Sequence, residues 1–191
     1  MKKKKDTVRI IVGGSGGQGI LTLGKVISYA AIQQNMQVSC LPSYGAEMRG
    51  GYVYCTIVIS SSKNIFSPVS SETDIAVFMN DQSFKMLSSY LKKDADVILN
   101  TSLIKKPSSI SGYRITEIQA SEIAEKNGSI KTANMVAAGT LGSIIDRKFV
   151  RFTKSAVCYG ASKMISNEAL YEISRTGIET GWNLGASLKT P

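Results

Sequence analysis

The segment "TVRIIVGG" at residues 7–14 is a β-branched run that ends in glycine. Beyond it, apolar side chains recur at Ile20, Leu23, Ile27 and Ala30, a helical spacing. Strand, glycine turn and helix in that order predict the opening of a βαβ unit. "QVSCL" at 37–41 reads as a second strand that Pro42 is expected to stop. "GYVYCTIVIS" at 51–60 alternates, with Val53, Cys55, Ile57 and Ile59 on one face and Tyr52, Tyr54 and Thr56 on the other, so one face should be less deeply covered. "DIAVFMN" at 74–80 and "ADVILN" at 95–100 are continuous apolar runs, as central strands with helices on both faces require. Between them "QSFKMLSSYLKK" reads as an amphipathic helix. "GYRITEI" at 112–118 reads as a further strand, followed by a helix over "ASEIAEKNG" with Gly128 as its C-terminal cap. From about residue 132 the pattern is helical, in "TANMVAAGTLGSIID", "TKSAVCYGASKMI" and "NEALYEISRTGIETGWNL". Alternating β and α elements with a helical C-terminal part predict a three-layer α/β/α sandwich on a largely parallel or mixed sheet. No repeat or linker divides the chain, so residues 7–191 are expected to form a single domain behind a basic tail at 1–6.

Composition narrows the chemistry more than the fold. A chain of 191 residues can bury about 70% of its unfolded surface, enough for one core. The net charge is +9, but Lys2 to Lys5 supply four of those units, leaving 19 basic residues against 14 acidic. That excess, with one tight basic cluster in "DRKFVRFTK" at 146–154, does not make the dense basic face with stacking aromatics that nucleic acid requires. No apolar run approaches the ~20 residues that cross a bilayer, and the chain is expected to be cytoplasmic. Cys40, Cys55 and Cys158 lie far apart with no C-x-x-C pair, so they cannot assemble a zinc knuckle or an iron–sulfur cluster on their own, and all three are expected to be buried thiols. The chain contains no histidine, which removes imidazole bases, Ser–His and Cys–His nucleophiles and His-ligated metals together.

"GGSGGQGILTLGK" carries two nucleotide-like spacings. Read as a phosphate loop from Gly19 to Lys25, it lacks the Ser or Thr after the lysine that holds magnesium, since residue 26 is Val, and "ILTL" is apolar helix; Lys25 is expected on the helix surface. Read as a dinucleotide loop through Gly14, Gly16 and Gly19, it sits between strand and helix, where amides and the helix dipole favour an anion. It lacks the acidic residue ~20 positions on that binds ribose hydroxyls. A stand-alone nucleotide (NAD or FAD)-binding oxidoreductase, or a nucleotide-sensing module, is therefore the second reading. The other unusual loop, "LPSYGAEMRGG", sets Tyr44, Glu47 and Arg49 among Gly45, Gly50 and Gly51 at a strand end, where open α/β sheets bind ligands. It reads equally as a surface loop with a local Glu47–Arg49 ion pair.

Taken together, "GGSGGQGILTLGKVI", "LPSYGAEMRGG", "ADVILN", "SEIAEKNG" and "TANMVAAGTLG", in this order over residues 8–185, resemble the gamma subunit of 2-oxoacid:ferredoxin (acceptor) oxidoreductases, most closely the 2-oxoglutarate and branched-chain members. The resemblance implies a Rossmann-like domain that binds no cofactor alone. It also implies a complex whose alpha and beta subunits hold thiamine diphosphate and magnesium, with a delta subunit as a further partner in some members. Iron–sulfur clusters on other polypeptides would pass electrons to ferredoxin, and coenzyme A would accept the acyl group. Carried over as loop residues near the coenzyme A side are Gly16, Gly17, Gln18, Ser43, Tyr44, Gly45, Glu47, Arg49, Gly50, Gly51 and Asn134; none is a catalyst. Ser15 and the tyrosines of "GYVYCTIVIS" depart from the family's usual smaller residues. Ala138, Gly139 and Gly142 would let a helix or strand approach closely, from this chain or from a partner. Arg147, Lys148, Arg151 and Lys154 are a candidate cradle for the coenzyme A phosphates or a solvated basic turn. Isolated, the chain is expected to dimerise or aggregate.

Overall fold

The computed structural model describes residues 5–45, 51–62, 65, 67, 72–105 and 111–187. Its strands are β1 (Thr7–Ser15), β2 (Gln37–Tyr44), β3 (Tyr52–Ser60), β4 (Thr73–Phe78), β5 (Leu91–Asn100) and β6 (Arg114–Ile118). Its α-helices are α1 (Ile20–Gln33), α2 (Asp81–Leu87), α3 (Ala120–Lys126), α4 (Ala133–Lys148), α5 (Lys154–Met164) and α6 (Glu168–Ser187). Each expected strand and helix is present, with three shifts. Pro42 does not stop β2; it lies inside it, paired with Cys55. β2 is an edge strand, where a residue without an N–H costs no ladder bond. The helix expected over 82–93 ends at Leu87, passes through a 3-10 turn at Ser88–Tyr90, and gives Leu91 to Lys93 to β5. Asp94 then takes a left-handed φ of 61° within that strand. The cap at Gly128 forms as expected: φ is 111°, and the amides of Gly128 and Ser129 return to the carbonyls of Glu125 and Ala124.

The six strands form one sheet in the order β2-β3-β1-β4-β5-β6. β1, β4, β5 and β6 are parallel neighbours, whereas β3 runs antiparallel to both β1 and β2. The β1–α1–β2 unit is therefore real but split, because β3 is threaded between its two strands. Pairing of Ser15 with Tyr52 and of Tyr44 with Val53 fixes the result: the glycine loop after β1 and the turn between β2 and β3 emerge at the same end of the sheet as the C-terminal ends of β4 and β5.

The two faces of the sheet are unequally covered. One is buried under α1 and α3 to α6, in a core built from Ile10, Val12, Ile57, Ile59, Ile75, Val77 and Ile98 of the strands with Leu23, Ile27, Val136, Leu141 and Ile178 of the helices. The other, formed by Ile11, Ala76, Phe78, Val97 and Leu99, lies under α2 with Leu87 and Ile104 and is flanked by the half-buried Tyr54, Tyr90 and Tyr113. The three-layer expectation holds with a lopsided division of helices, and the tyrosine face of β3 is the less covered one. Among the described residues no helix is long and apolar enough to cross a membrane.

At the opposite end of the sheet two buried aspartates are neutralised. Asp74 accepts the Arg9 amide at 2.8 Å and pairs with Lys92. Asp96 takes the Arg114 guanidinium through two bonds of 3.0 and 3.1 Å and pairs with Lys148. Removing one partner of such a buried pair costs more than the pair itself contributes.

The small residues of α4 are consumed inside this chain, since Gly139 and Gly142 lie against Ile178 and Trp182 of α6. A Cβ on Gly139 would overlap the carbonyl of Ile178, and one on Gly181 the carbonyl of Val136, while Thr140 Oγ1 donates to Gly181 O at 2.9 Å. Backbone lies on backbone there, so overpacking cannot be relieved by a rotamer change. Gly139→Ala and Gly181→Ala should each cost more than ~2 kcal/mol, lowering the midpoint of thermal unfolding by about 5 °C or more in circular dichroism. Gly16→Ala, where a Cβ meets nothing within 4 Å, should stay within about 0.5 kcal/mol of the parent.

Candidate functional site

The site occupies the sheet end at which β1, β4 and β5 finish. Past Ser15 the chain turns through Gly17 (φ 90°) and Gly19 (φ 69°), both in the left-handed region that side chains resist, and enters α1. Gln18 folds back over the turn. Its Oε1 accepts the Ser15 amide at 2.7 Å and Asn80 Nδ2 at 2.9 Å, and its Nε2 donates to Met79 O at 3.4 Å. Asn80, just past β4, also donates from Nδ2 to Ser15 Oγ at 2.6 Å, and its Oδ1 accepts the Ser83 amide at 2.8 Å, capping α2. Ser15 is thus a working part of the turn.

A second tier lies beside it. Asn100, the last residue of β5 and fully buried, donates to Met79 O at 3.4 Å and to Ser121 Oγ at 3.1 Å. Its Oδ1 is buried without a hydrogen-bond partner among the described residues. Asn134, in the first turn of α4, donates to Gly19 O at 3.1 Å and lies so close over Gly19 that no Cβ would fit. Gly17, Gln18, Met79, Leu103, Ser121 and Lys131 line a cavity of about 230 Å³.

The other arm of the site comes from the end of β2. Gly45 donates its amide to Tyr52 O at 2.9 Å, closing the β2–β3 hairpin, and Tyr44 is 68% exposed. The rings of Tyr52 and Tyr54 stack at 6.0 Å on the adjacent strand. Gly16, Gly17, Gln18 and Asn134 therefore cluster around the first turn, while Ser43, Tyr44, Gly45 and the buried Gly51 gather at the hairpin alongside it. Glu47, Arg49, Gly50 and the Glu47–Arg49 pairing lie outside the described residues. Sequence reasoning missed Asn80, Asn100, Ser121 and Lys131. A signal for two of them was present, because "FMN" and "ILN" each end an apolar strand with the same amide.

The remaining expectations separate cleanly. Lys25 is on the exposed side of α1, away from the turn, so the phosphate-loop spacing is a coincidence of helix composition. The dinucleotide reading loses its geometry as well, since β3 stands between β1 and β2 and β2 carries no acidic side chain where ribose hydroxyls would need one. The basic cluster lies at the far end of α4, ~20 Å along the helix from Asn134. Within it Lys148 is committed to Asp96: burial pushes its ammonium below the ordinary lysine range and the Asp96 carboxylate opposes that push.

What the sheet end can do chemically follows from its inventory. Neutral amides, hydroxyls, a lysine and the amino end of α1, whose first turn holds no acidic residue, can bind and orient polar or anionic groups. Among the described residues it offers no proton-transferring pair. Fold and site define an α/β domain that shapes a polar chamber through bare backbone and strand-end amides.

The chain belongs to the pyruvate ferredoxin/flavodoxin oxidoreductase family, whose model matches residues 9–172. It is 35% identical over 139 residues to the ketoisovalerate oxidoreductase subunit VorA of Methanothermobacter thermautotrophicus, covering 70% of this chain but 28% of that one. It is 30% identical over 152 residues to the indolepyruvate oxidoreductase subunit IorB of Archaeoglobus fulgidus, covering 70% and 75%. Its fold matches the gamma subunit of a keto/oxoacid ferredoxin oxidoreductase from Geobacter sulfurreducens, with TM-score 0.79 and 23% identity over 95% of this chain and 99% of that one. It also matches part of the 2-oxoglutarate:ferredoxin oxidoreductase of Magnetococcus marinus, solved with 2-oxoglutarate, coenzyme A and succinyl-CoA, with TM-score 0.85 and 22% identity over 97% of this chain and 32% of that one. The chain thus spans under a third of VorA and of the Magnetococcus polypeptide.

Asn80 links the turn to the cap of α2, so its removal should be felt in both. Asn80→Ala should lower stability by about 1–2 kcal/mol in denaturant unfolding and speed limited proteolysis within residues 15–19. Unchanged stability and cleavage would show that the amide is not what holds the turn.

Proposed function

We propose that this chain is the gamma-type subunit of a thiamine-diphosphate-dependent 2-oxoacid:ferredoxin oxidoreductase, a cytoplasmic enzyme that oxidatively decarboxylates a 2-oxoacid and transfers the acyl group to coenzyme A. The observation that carries the reading is the convergence of the glycine turn, with Gln18 and Asn134, and the Tyr44–Gly45 hairpin at one sheet end. The family membership and the coenzyme A held by the Magnetococcus relative support it. In this reading the chain binds and orients on the coenzyme A side and supplies no catalytic residue.

The described residues of this chain do not fit the complex's other groups. Magnesium with thiamine diphosphate asks for clustered oxygen ligands and iron–sulfur clusters for grouped thiolates. Among the described residues no set of three His, Cys, Asp or Glu side chains is placed to hold a metal. The reading therefore gives thiamine diphosphate and magnesium to alpha and beta subunits, the iron–sulfur clusters to other polypeptides of the complex, which in some assemblies includes a delta subunit, and electron delivery to ferredoxin to the complex. Bound in a neighbour, thiamine diphosphate would supply the carbanion chemistry of decarboxylation. This chain would exclude water, hold polar groups of the acyl acceptor against the α1 amino end, and keep the two loops in register.

Affinity purification from native cells should bring down thiamine-diphosphate-containing partners, while the purified chain alone should show no 2-oxoacid-dependent reduction of ferredoxin. In the assembled enzyme, Gln18→Ala combined with Asn134→Ala should raise the KM for coenzyme A several-fold at an unchanged KM for the 2-oxoacid. Turnover by the isolated chain, or tight nicotinamide binding to it, would overturn the reading.

A further inference from the structure

Two cysteines far apart in sequence converge on one residue of α1. Cys40 on β2 faces Ile57 and Cys55 on β3 faces Pro42, which makes the two cysteines diagonal neighbours across the antiparallel ladder. Both sulfurs lie beneath Gly24: a Cβ there would stand 2.5 Å from Cys55 Sγ and 3.4 Å from Cys40 Sγ. The pair is reduced, and the expectation that every cysteine is buried holds for Cys55 alone. Cys40 is half-buried and lines a cavity of about 610 Å³ whose wall is mostly apolar, with Leu21, Tyr29, Pro42 and Met164 around it and Lys25 and Ser28 beside the thiol. A small molecule can reach Cys40 through this cavity, whereas Cys55 lies behind it with no exposed surface.

The surroundings divide the roles of the two thiols. The adjacent Cys55 thiol, the Ser28 hydroxyl and the positive charge of Lys25 together bring the Cys40 thiol down to about 6 against the upward push of burial, while Cys55 Sγ donates to Ile20 O at 3.9 Å and Ser28 Oγ to Gly24 O at 2.8 Å. Cys55 is pushed well above the ordinary thiol range, first by the neighbouring Cys40 sulfur, then by burial, then by the Cys40 charge. The first and last of these disappear once Cys40 carries a neutral substituent, leaving burial alone to hold the Cys55 proton.

We propose that Cys40 and Cys55 form a redox-active dithiol that reacts with low-molecular-weight disulfides admitted by the cavity, Cys40 attacking and Cys55 resolving. The Cys40 thiolate attacks one sulfur of RS–SR, the S–S bond breaks, and RS⁻ leaves and takes a proton from water. Cys55 gives its proton to water and attacks the Cys40 sulfur of the mixed disulfide, and the second RS⁻ leaves and is protonated in turn. One disulfide is reduced to two thiols, and one Cys40–Cys55 disulfide forms. Diagonal neighbours in a sheet have Cα atoms ~7–8 Å apart and disulfides span ~4.4–6.8 Å. Closing the bond therefore draws β2 inward, which an edge strand held by a single neighbour permits. β2 leads directly into Tyr44 and Gly45, so the oxidised form shifts the hairpin arm of the site. This inference stands on the two thiols and their cavity, independently of the proposed enzyme.

The full-length chain, reduced and freed of reductant under argon, is incubated with glutathione disulfide, quenched with N-ethylmaleimide, and mapped by mass spectrometry. The expected product is a Cys40–Cys55 cross-linked peptide with Cys158 alkylated, because burial and Glu179 push the Cys158 thiol up. Cys55→Ser should retain glutathione on Cys40, and Cys40→Ser should give neither product; circular dichroism confirms that each variant is folded. Iodoacetamide alkylation supplies an independent reading. The titratable groups facing Cys40 are Lys25 and Tyr29 of α1, Tyr44 of its own strand and Cys55 of β3, while α5 presents Met164. The Cys40 rate should therefore change no more than about twofold between pH 7 and pH 9, where a thiol of the ordinary value 9.0 gains about 50-fold. Glutathione found on Cys158 first, a wild-type mixed disulfide that Cys55 never resolves, or a steep Cys40 alkylation profile would each overturn the proposal.

Discussion

The antiparallel ladder between β1 and β3 is the constraint on which the rest of the molecule depends. Had β2 paired directly with β1, the end of β2 at Tyr44 would emerge one strand nearer the glycine loop and the second strand would flank a nucleotide crevice in the familiar way. Instead β3 fills that place in the opposite direction, and its pairing of Ser15 with Tyr52 locks the hairpin and the glycine turn into one register. A one-residue slip would turn Cys55, Ile57 and Ile59 out of the core and Tyr54 and Thr56 into it. Full burial of Cys55, Ile57 and Ile59 makes that slip costly, so the geometry of the site is enforced by the sheet.

Close helix contact supports the same end from behind. α4 starts at the site with Asn134 and ends at the buried Asp96 with Lys148, so one rigid element joins the polar sheet end to the ion-paired one. Its tight seat on α6 through Gly139 and Gly181 fixes its axial position. The polar network is short, local and built from neutral amides, which bind without charge to neutralise. Its buried, unsatisfied Asn100 Oδ1 is the sort of orphan that a bound water or ligand completes.

Much of this was legible in the sequence. Strand runs such as "DIAVFMN" and the cap at Gly128 depend on neighbours in the chain, and the patterns that encode them are local. The mixed sheet was not, because the direction of β3 is decided by which partners bury Cys55 and Ile57, contacts that lie outside the strand's own local pattern. Pro42 misled for a related reason: proline ends a strand only where its missing N–H would have been used, and only the strand order reveals that β2 is an edge. The site divided in the same way. The glycines announced themselves by their spacing and Gln18 came with the family resemblance, whereas Ser121 and Lys131 reach the cavity through helix placement, and the convergence of Cys40 and Cys55 under Gly24 required the ladder itself. The small stripe on α4 was visible, but its occupant proved to be α6 of the same chain.

Pro42 has one further consequence. An exposed edge strand is a template on which other polypeptides can add, growing into ribbons when the unpaired amides run uninterrupted. Here the row is broken in the middle of β2, so foreign strands find too few consecutive donors to zip along it. The edge at β2 is thereby a poor seed for fibrils, a protection set by a single imino acid.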